Sequence, residues 1–325
     1  MSDQILCSVL VASYNHENYI EDTLESLYYQ TYQNIELLVC DDCSMDNSWE
    51  KIQKYLANKK DRFTDVKLIR HEQNKGLVEG LLEMLDLSSG DIIKVMAGDD
   101  IFGETYFEDV VQAYLEHPED TVFLTNSYII GEDDHFYNLK KEQYEIFYKE
   151  APDFEQETLF RRMYQGNLIF GTGMAAPREV HLKYGTFSRN NIVEDWELWL
   201  KWSSTGKVRF QYIDKPDVYY RKSAGSMTSL VKNETMAKRW FALFDACENI
   251  IDKYGTYFSK EEDAKRKWEY FLYEGGMMRA YQFGDEKELL RGKVKEFLKE
   301  NGKYLPLIYH IRYYRMRIRG TMVLP

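Results

Sequence analysis

Residues 5–42 read ILCSVLVASYNHENYIEDTLESLYYQTYQNIELLVCDD, and the change of pattern along this stretch decides the fold. Residues 5–13 are a nearly continuous apolar run of strand length. Residues 18–29 then place Ile20, Leu24 and Leu27 at helical spacing, and 35–40 form a second apolar run. A strand that is apolar towards both sides must be covered on both sides, and an amphipathic helix between two such strands supplies a cover.

The alternation continues outward. Asp46 is placed to cap a helix carrying Trp49, Ile52 and Leu56. Residues 66–70 read as a third strand, Leu77, Leu81, Leu82 and Leu85 as a helical stripe, 91–97 as a fourth strand and 121–128 as a fifth. This is the signature of an α/β domain with a mostly parallel sheet covered by helices on both faces. Residues 130–165 are charged and Tyr-rich, an irregular connection with a short helix around 153–164. Residues 166–230 return to a compact pattern, and 233–255, 260–283 and 286–300 read as helices. The expected organisation is one domain over 1–230, with halves 1–128 and 129–230, followed by a C-terminal helical region over 231–325.

In an open α/β sheet, ligands bind at the carboxyl ends of the strands. Here those ends carry Ser13-Tyr14-Asn15, Asp41-Asp42 and Asp99-Asp100. Adjacent carboxylates do not both ionise cheaply without a cation nearby. Hard cations such as Mn²⁺ or Mg²⁺ take carboxylate oxygens and share phosphate oxygens. A solvated acidic turn is the plain alternative for Asp99-Asp100, and a helix cap is the alternative for Asp41-Asp42.

A further acidic pair, Glu194-Asp195, opens VEDWELWLKW. A helix over 195–202 puts Asp195, Leu198, Trp199 and Trp202 on one face. Glu194, Glu197 and Lys201 fall on the other, with Glu197 and Lys201 at the spacing of a surface ion pair. Helical phase thus selects Asp195 as the carboxylate at an apolar wall, where a raised pKa suits a general base. An acid that merely favours the helix dipole is the alternative.

Other chemistries find little support. A net charge of −12 disfavours nucleic acid as a partner, because phosphate backbones require a basic footprint. Cys40-x-x-Cys43 has no second ligand pair for zinc, and the two Asp residues between the cysteines oppose a thiolate. No phosphate-binding glycine loop and no nucleophile elbow occur.

Together these residues resemble the opening of the inverting family-two glycosyltransferases with the GT-A fold, the nucleotide-diphospho-sugar transferase type. The likeness runs from SVLVASYNHENYIEDTLESLYYQTYQNIELLVCDDCSMDNS through Asn74-Lys75-Gly76, AGDD and EDWELW to YYRKSAGSMTS near residue 229. The resemblance implies a nucleotide-diphospho-sugar donor, expected to be a UDP-sugar, and a saccharide or lipid-linked saccharide acceptor. It places Ser13, Tyr14, Asn15, Asp42, Lys75, Asp99 and Arg221 at the donor, with Asp42 as the base-reading carboxylate and Arg221 over the diphosphate. It gives Asp100 to Mn²⁺ or Mg²⁺, and makes Asp195 the base that deprotonates the acceptor hydroxyl. Cys43 departs from the usual Gly, and Ser223 stands where many relatives have His, which leaves Lys222 to contact the diphosphate. A nucleotidyltransferase on a similar sheet and a non-catalytic nucleotide-sugar-binding protein are the competing readings. The first lacks its Gly- and Lys/Arg-rich loop, and the second has no use for all of Asp42, Asp100 and Asp195.

No acid follows Glu300, whereas Lys303, Arg312, Arg315, Arg317 and Arg319 do. Residues 305–320 would form a basic amphipathic helix, which either docks on the protein or lies on an anionic membrane surface. The N-terminus has no basic-then-apolar signal pattern, and no apolar run reaches about 18 residues. The expectation is a cytoplasmic protein, with peripheral contact to the inner face of the membrane through this tail.

Overall fold

The computed structural model describes residues 5–117, 120–222, 234–280 and 286–305. The chain divides into two compact units, Met1–Ser229 and Leu230–Pro325. The basic tail beyond Leu305, and the part of YYRKSAGSMTS from Ser223 onward, lie outside the described residues.

The first unit begins β1 (Cys7–Ser13), α1 (Ile20–Tyr28), β2 (Ile35–Asp41), α2 (Ser48–Lys59), β3 (Asp65–Arg70), α3 (Leu77–Leu87) and β4 (Ile92–Ala97). It continues through β5 (Ile101–Phe102), α4 (Tyr106–Glu116), β6 (Thr121–Ile130), β7 (Glu145–Ile146), α5 (Gln156–Gln165), β8 (Met174–Pro177), α6 (Arg178–Tyr184), α7 (Glu194–Ser203) and β9 (Arg209–Arg221). The strand order is β3-β2-β1-β4-β8-β6-β9-β5, with β7 paired to β6.

Side-chain alternation explains the two covered faces. Val9 and Val11 of β1, Leu37 and Val39 of β2, and Ile92 and Met96 of β4 pack with Ile20, Leu24 and Leu27 of α1 and with Ile52 of α2. Leu10, Leu38, Cys40 and Ile93 point the other way, onto Leu81, Met84 and Leu85 of α3. In α3 the buried stripe is Val78, Leu81, Met84 and Leu85, and Leu77 is exposed. Leu81 and Leu85 keep their expected place in the stripe, while Val78 and Met84 take the flanking positions expected for Leu77 and Leu82. Strand β3 is only half buried, as an edge strand is. Asp46 acts as a cap from just outside α2, its carboxylate accepting the Ser48 amide at 3.0 Å.

β1 runs parallel to β2 and β4, β2 to β3, and β6 to β9. The short β8 lies antiparallel between β4 and β6. Its four residues, MAAP, are too short and too small for a periodic signal, so the sequence gives no notice of it. Two antiparallel steps restore direction. The carboxyl ends of β1, β2, β4, β6 and β9 therefore share one edge of the sheet, and the start of β8 lies there too.

The second unit contains α8 (Glu234–Gly255), α9 (Lys260–Ala280) and α10 (Glu286–Asn301). Phe244, Ile251, Trp268 and Val294 are among its buried residues. Among the described residues, no helix is long and apolar enough to cross a membrane.

Two stability tests follow. Leu10→Ala deletes a fully buried side chain from the central strand and costs about 2–5 kcal/mol, whereas Leu77→Ala stays within about 0.5 kcal/mol, as read by urea unfolding. Cys43 holds a left-handed backbone, φ 63°, the conformation a Gly in this turn adopts freely. Cys43→Gly relieves that strain and raises the melting temperature by the equivalent of up to about 1 kcal/mol; a lower melting temperature contradicts this account.

Candidate functional site

The shared edge is built as interlocked turns. At the end of β1, Tyr14 is 41% exposed and Ser13 is buried. The Ser13 hydroxyl has no hydrogen-bond partner among the described residues. Asn15 takes a left-handed backbone, φ 57°. Its amide donates to Ser44 Oγ at 2.9 Å, and its Oδ1 accepts the Met45 amide at 2.8 Å. The Asn15 side chain thus ties the first strand-end turn to the second.

The two acids after β2 do different work. Asp41 is fully buried and accepts from the Ser44 amide and hydroxyl, at 3.0 and 2.6 Å, closing its own turn. Asp42 reaches across to the loop before α3. Its carboxylate accepts the amides of Lys75 and Gly76, both at 2.8 Å. His71 Nδ1 lies 2.7 Å from the same carboxylate, and His71 Nε2 lies 3.1 Å from Glu83. The Lys75 ammonium stands 3.8 Å from Glu83. His71 carries no motif in the sequence; only its position one residue past a strand hints at it. Burial and the neighbouring carboxylates push the Cys40 thiol up to about 12, which keeps it protonated.

Asp100 is buried, and its Oδ1 accepts the Arg221 amide at 3.0 Å. Burial holds its carboxyl well above the usual range, and the adjacent Asp99 charge adds to this. Arg221 differs from its expected placement over a diphosphate. Its guanidinium is fully buried and donates to the carbonyls of Asp99 and Gly131, at 2.8 and 2.7 Å, and to that of Asp134. It packs 4.4 Å from the Tyr19 ring. A guanidinium beneath the turn has donors in a fixed fork, and three carbonyls from two strand-end loops, those after β4 and β6, meet them. Lys222, one residue on, is exposed, and its amide donates to the Ile130 carbonyl.

Asp195 lies in the first turn of α7. Its Oδ1 accepts the Trp196 amide at 2.6 Å and its Oδ2 the Asn167 side-chain amide at 3.0 Å. A Cβ at Gly171 would stand 3.5 Å from Oδ2, so the Gly171–Gly173 turn walls this carboxylate. Burial raises the carboxyl of Asp195, with the two hydrogen bonds opposing. Glu194 is half-buried too, and is pushed up to about 8 by burial and by the Asp195 charge. Glu197, expected on the surface, is buried and accepts from the Asn191 side chain at 2.7 Å. The Lys201 ammonium donates to the Thr186 carbonyl and to Ser188 Oγ. The polar side of α7 is covered by the 186–191 loop, which the heptad-like phase of one helix does not reveal. Asp195 is distinguished by its hydrogen bonds to Asn167 and Trp196.

Lys94 was not singled out in the sequence. It sits fully buried in β4 and donates to the carbonyls of Thr172 and Met174. Tyr106 OH donates to the Gly173 carbonyl between them at 3.2 Å. Burial pulls the Lys94 ammonium down to about 7, against the attraction of Asp100. The signal was the one cation inside the apolar run DIIKVMA. Three consecutive carbonyls of the turn beside Asp195 are thus fixed from beneath.

Two adjacent carboxylates, one of them buried, form a hard-oxygen donor set. Among the described residues no group of three His, Cys, Asp or Glu is arranged to hold a metal. Asp99 and Asp100 are the carboxylates whose chemistry suits a hard cation.

The sequence matches the model of Glycosyl transferase family 2 over residues 8–185. It is 26% identical over 230 residues to UDP-Glc:alpha-D-GlcNAc-diphosphoundecaprenol beta-1,3-glucosyltransferase WfaP of Escherichia coli, covering 69% of this chain and 80% of that protein. It is 37% identical over 109 residues to EpsE of Bacillus subtilis strain 168, a match that spans 34% of this chain and only 38% of EpsE. The fold is similar to that of S. aureus TarS 1–349, solved in complex with UDP-GlcNAc, with a TM-score of 0.61 at 17% identity over 94% of this chain and 83% of that one.

Proposed function

This chain belongs to glycosyl transferase family 2, and we propose that it moves a sugar from a UDP-sugar to the hydroxyl of a saccharide or lipid-linked saccharide, with inversion, in cell-surface polysaccharide or glycolipid synthesis. WfaP, a glucosyltransferase that takes UDP-Glc as donor and alpha-D-GlcNAc-diphosphoundecaprenol as acceptor, supports that choice of substrates. The observation that carries the reading is the shared sheet edge, where Asp42, Asp99-Asp100 and the turn walling Asp195 lie together.

Residues 1–128 supply the donor side. The exposed Tyr14 ring offers a face for the base, and the unpartnered Ser13 hydroxyl a hydrogen bond. Asp42 has acceptor capacity beyond its two amides and His71, and also fixes the loop that carries Lys75. Asn15 and Arg221 act by holding the turns, and Asp99 faces the ribose or sugar. Asp100 would hold Mn²⁺ or Mg²⁺, which would supply positive charge against the departing diphosphate. Residues 129–230 supply the acceptor side.

Asp195 takes the proton from the acceptor hydroxyl. The oxygen attacks the anomeric carbon from the face opposite the phosphate, the carbon–oxygen bond to phosphate breaks, and UDP leaves with that electron pair. A base must be ionised at working pH. The Asn167 and Trp196 donors favour the Asp195 carboxylate, whereas Glu194 at about 8 stays protonated near neutrality.

Thermal shift with UDP, GDP and ADP, with and without Mn²⁺, tests the donor site. UDP with Mn²⁺ stabilises the protein, by about 2.7 kcal/mol at a hundred times the dissociation constant. Asp100→Ala removes the metal dependence. No stabilisation by any nucleotide in the presence of metal sinks the reading. With UDP-glucose and a diphospholipid-linked GlcNAc, Asp195→Asn keeps the UDP shift and loses about 10²–10⁴-fold in transfer. Glu194→Gln, which mimics the protonated acid, matches wild type at pH 7. The two pH–rate profiles separate only as Glu194 ionises near pH 8; a tenfold loss in Glu194→Gln at pH 7 contradicts the assignment.

A further inference from the structure

Phe147 and Phe170 are stacked, with ring centroids 4.3 Å apart and planes 15° from parallel. Tyr220 meets Phe170 edge-on at 4.5 Å. Phe147 is 42% exposed, and Phe170 and Tyr220 are half-buried. Sheet register puts Tyr220 beside Ile129, on the face opposite the packed Ile130 and Tyr219.

These rings are held in place. The Phe147 amide donates to the Ser127 carbonyl at 2.8 Å. The Asn126 side chain brackets Tyr148, accepting its amide at 2.9 Å and donating to its carbonyl at 2.8 Å. Tyr148 OH donates to the Leu168 carbonyl at 3.1 Å and accepts the Phe170 amide at 2.7 Å. The loop carrying Phe170 is also the one that surrounds Asp195. Asn167, three residues earlier, donates to the Asp195 carboxylate, and Gly171, the next residue, walls it.

If Asp195 is the base, as the proposed function has it, the reacting hydroxyl must come within about 3 Å of its carboxylate. The rest of the acceptor must then rest on what surrounds Asp195, and through Phe170 that surface is aromatic. A pyranose has a ring face of C–H groups and a rim of hydroxyls. A flat ring accommodates the first, and Asn167 with Asp195 the second. We propose that the Phe147–Phe170 pair, edged by Tyr220, is the acceptor platform, on which a sugar ring of the acceptor stacks. A nucleobase is the less suitable occupant, because Tyr14 presents the aromatic face on the donor half. A lipid chain calls for an aliphatic groove, and these are stacked planar rings.

Saturation-transfer NMR on the full chain with UDP and Mn²⁺ tests this, using methyl α-N-acetylglucosaminide, methyl β-glucoside and octyl β-glucoside as probes. The expected result is saturation of sugar C–H protons in wild type. Phe147→Ala weakens glycoside binding about tenfold while the UDP-dependent thermal shift is unchanged, and Phe147→Trp restores binding. Because Phe147 is exposed, its replacement leaves the fold intact. Unchanged binding in Phe147→Ala overturns the platform, as does the absence of saturation by any glycoside in wild type. Saturation confined to the octyl chain assigns the surface to lipid and overturns it too. Asp195→Asn separates this from the catalytic reading: it retains glycoside binding if the platform is right, and retention of transfer in Asp195→Asn rejects the base assignment alone.

Discussion

A buried guanidinium ties the sheet edge together. Arg221 ends β9, yet its Nε and Nη1 donate to carbonyls of the Asp99 turn and of the loop after β6, and its own amide holds the Asp100 carboxylate. Asp22 stands 3.9 Å from the same guanidinium. Removing one partner of a buried charged network costs about 3–5 kcal/mol, because the others lose their compensation. The acidic turn is thus kept in shape by a cation that does not itself face the open edge. A positive charge at this depth also steadies a pair of adjacent acids that would otherwise repel.

The same arrangement recurs on the other side of the sheet edge. Lys94 and Tyr106 hold the successive carbonyls of Thr172, Gly173 and Met174, in and just after the Gly171–Gly173 turn, and that turn bounds Asp195. Both acidic centres are therefore shaped by basic side chains buried behind them. Asp42 does comparable work for the Lys75 loop, though there the acid is the anchor and the backbone amides are the donors.

The βαβ half of the fold was readable because β1, β2 and β4 are apolar runs and the helices between them carry apolar stripes. The strand ends followed from the sheet logic, and so did the acids at Asp42, Asp99 and Asp100. Three features were not readable. β8 is four small residues with no period. Arg221 matched a motif by position, but its depth depends on carbonyls from Asp99, Gly131 and Asp134, which no local pattern brings together. The environment of Glu197 and Lys201 comes from the 186–191 loop folding over α7, a contact that helical phase alone misjudges. The supporting Lys94 was visible only as an oddity in an apolar strand.

The position of Arg221 in the chain has a consequence for how the molecule is made. β1 to β4 are joined by local crossovers, so this part of the sheet can assemble while later residues are still being synthesised. The Asp100 carboxylate receives its amide donor from a residue 121 positions downstream. Its turn is therefore among the last parts of the first unit to take final shape. A nascent chain that has completed four parallel strands already possesses a sheet, but not yet the geometry of its acidic turn.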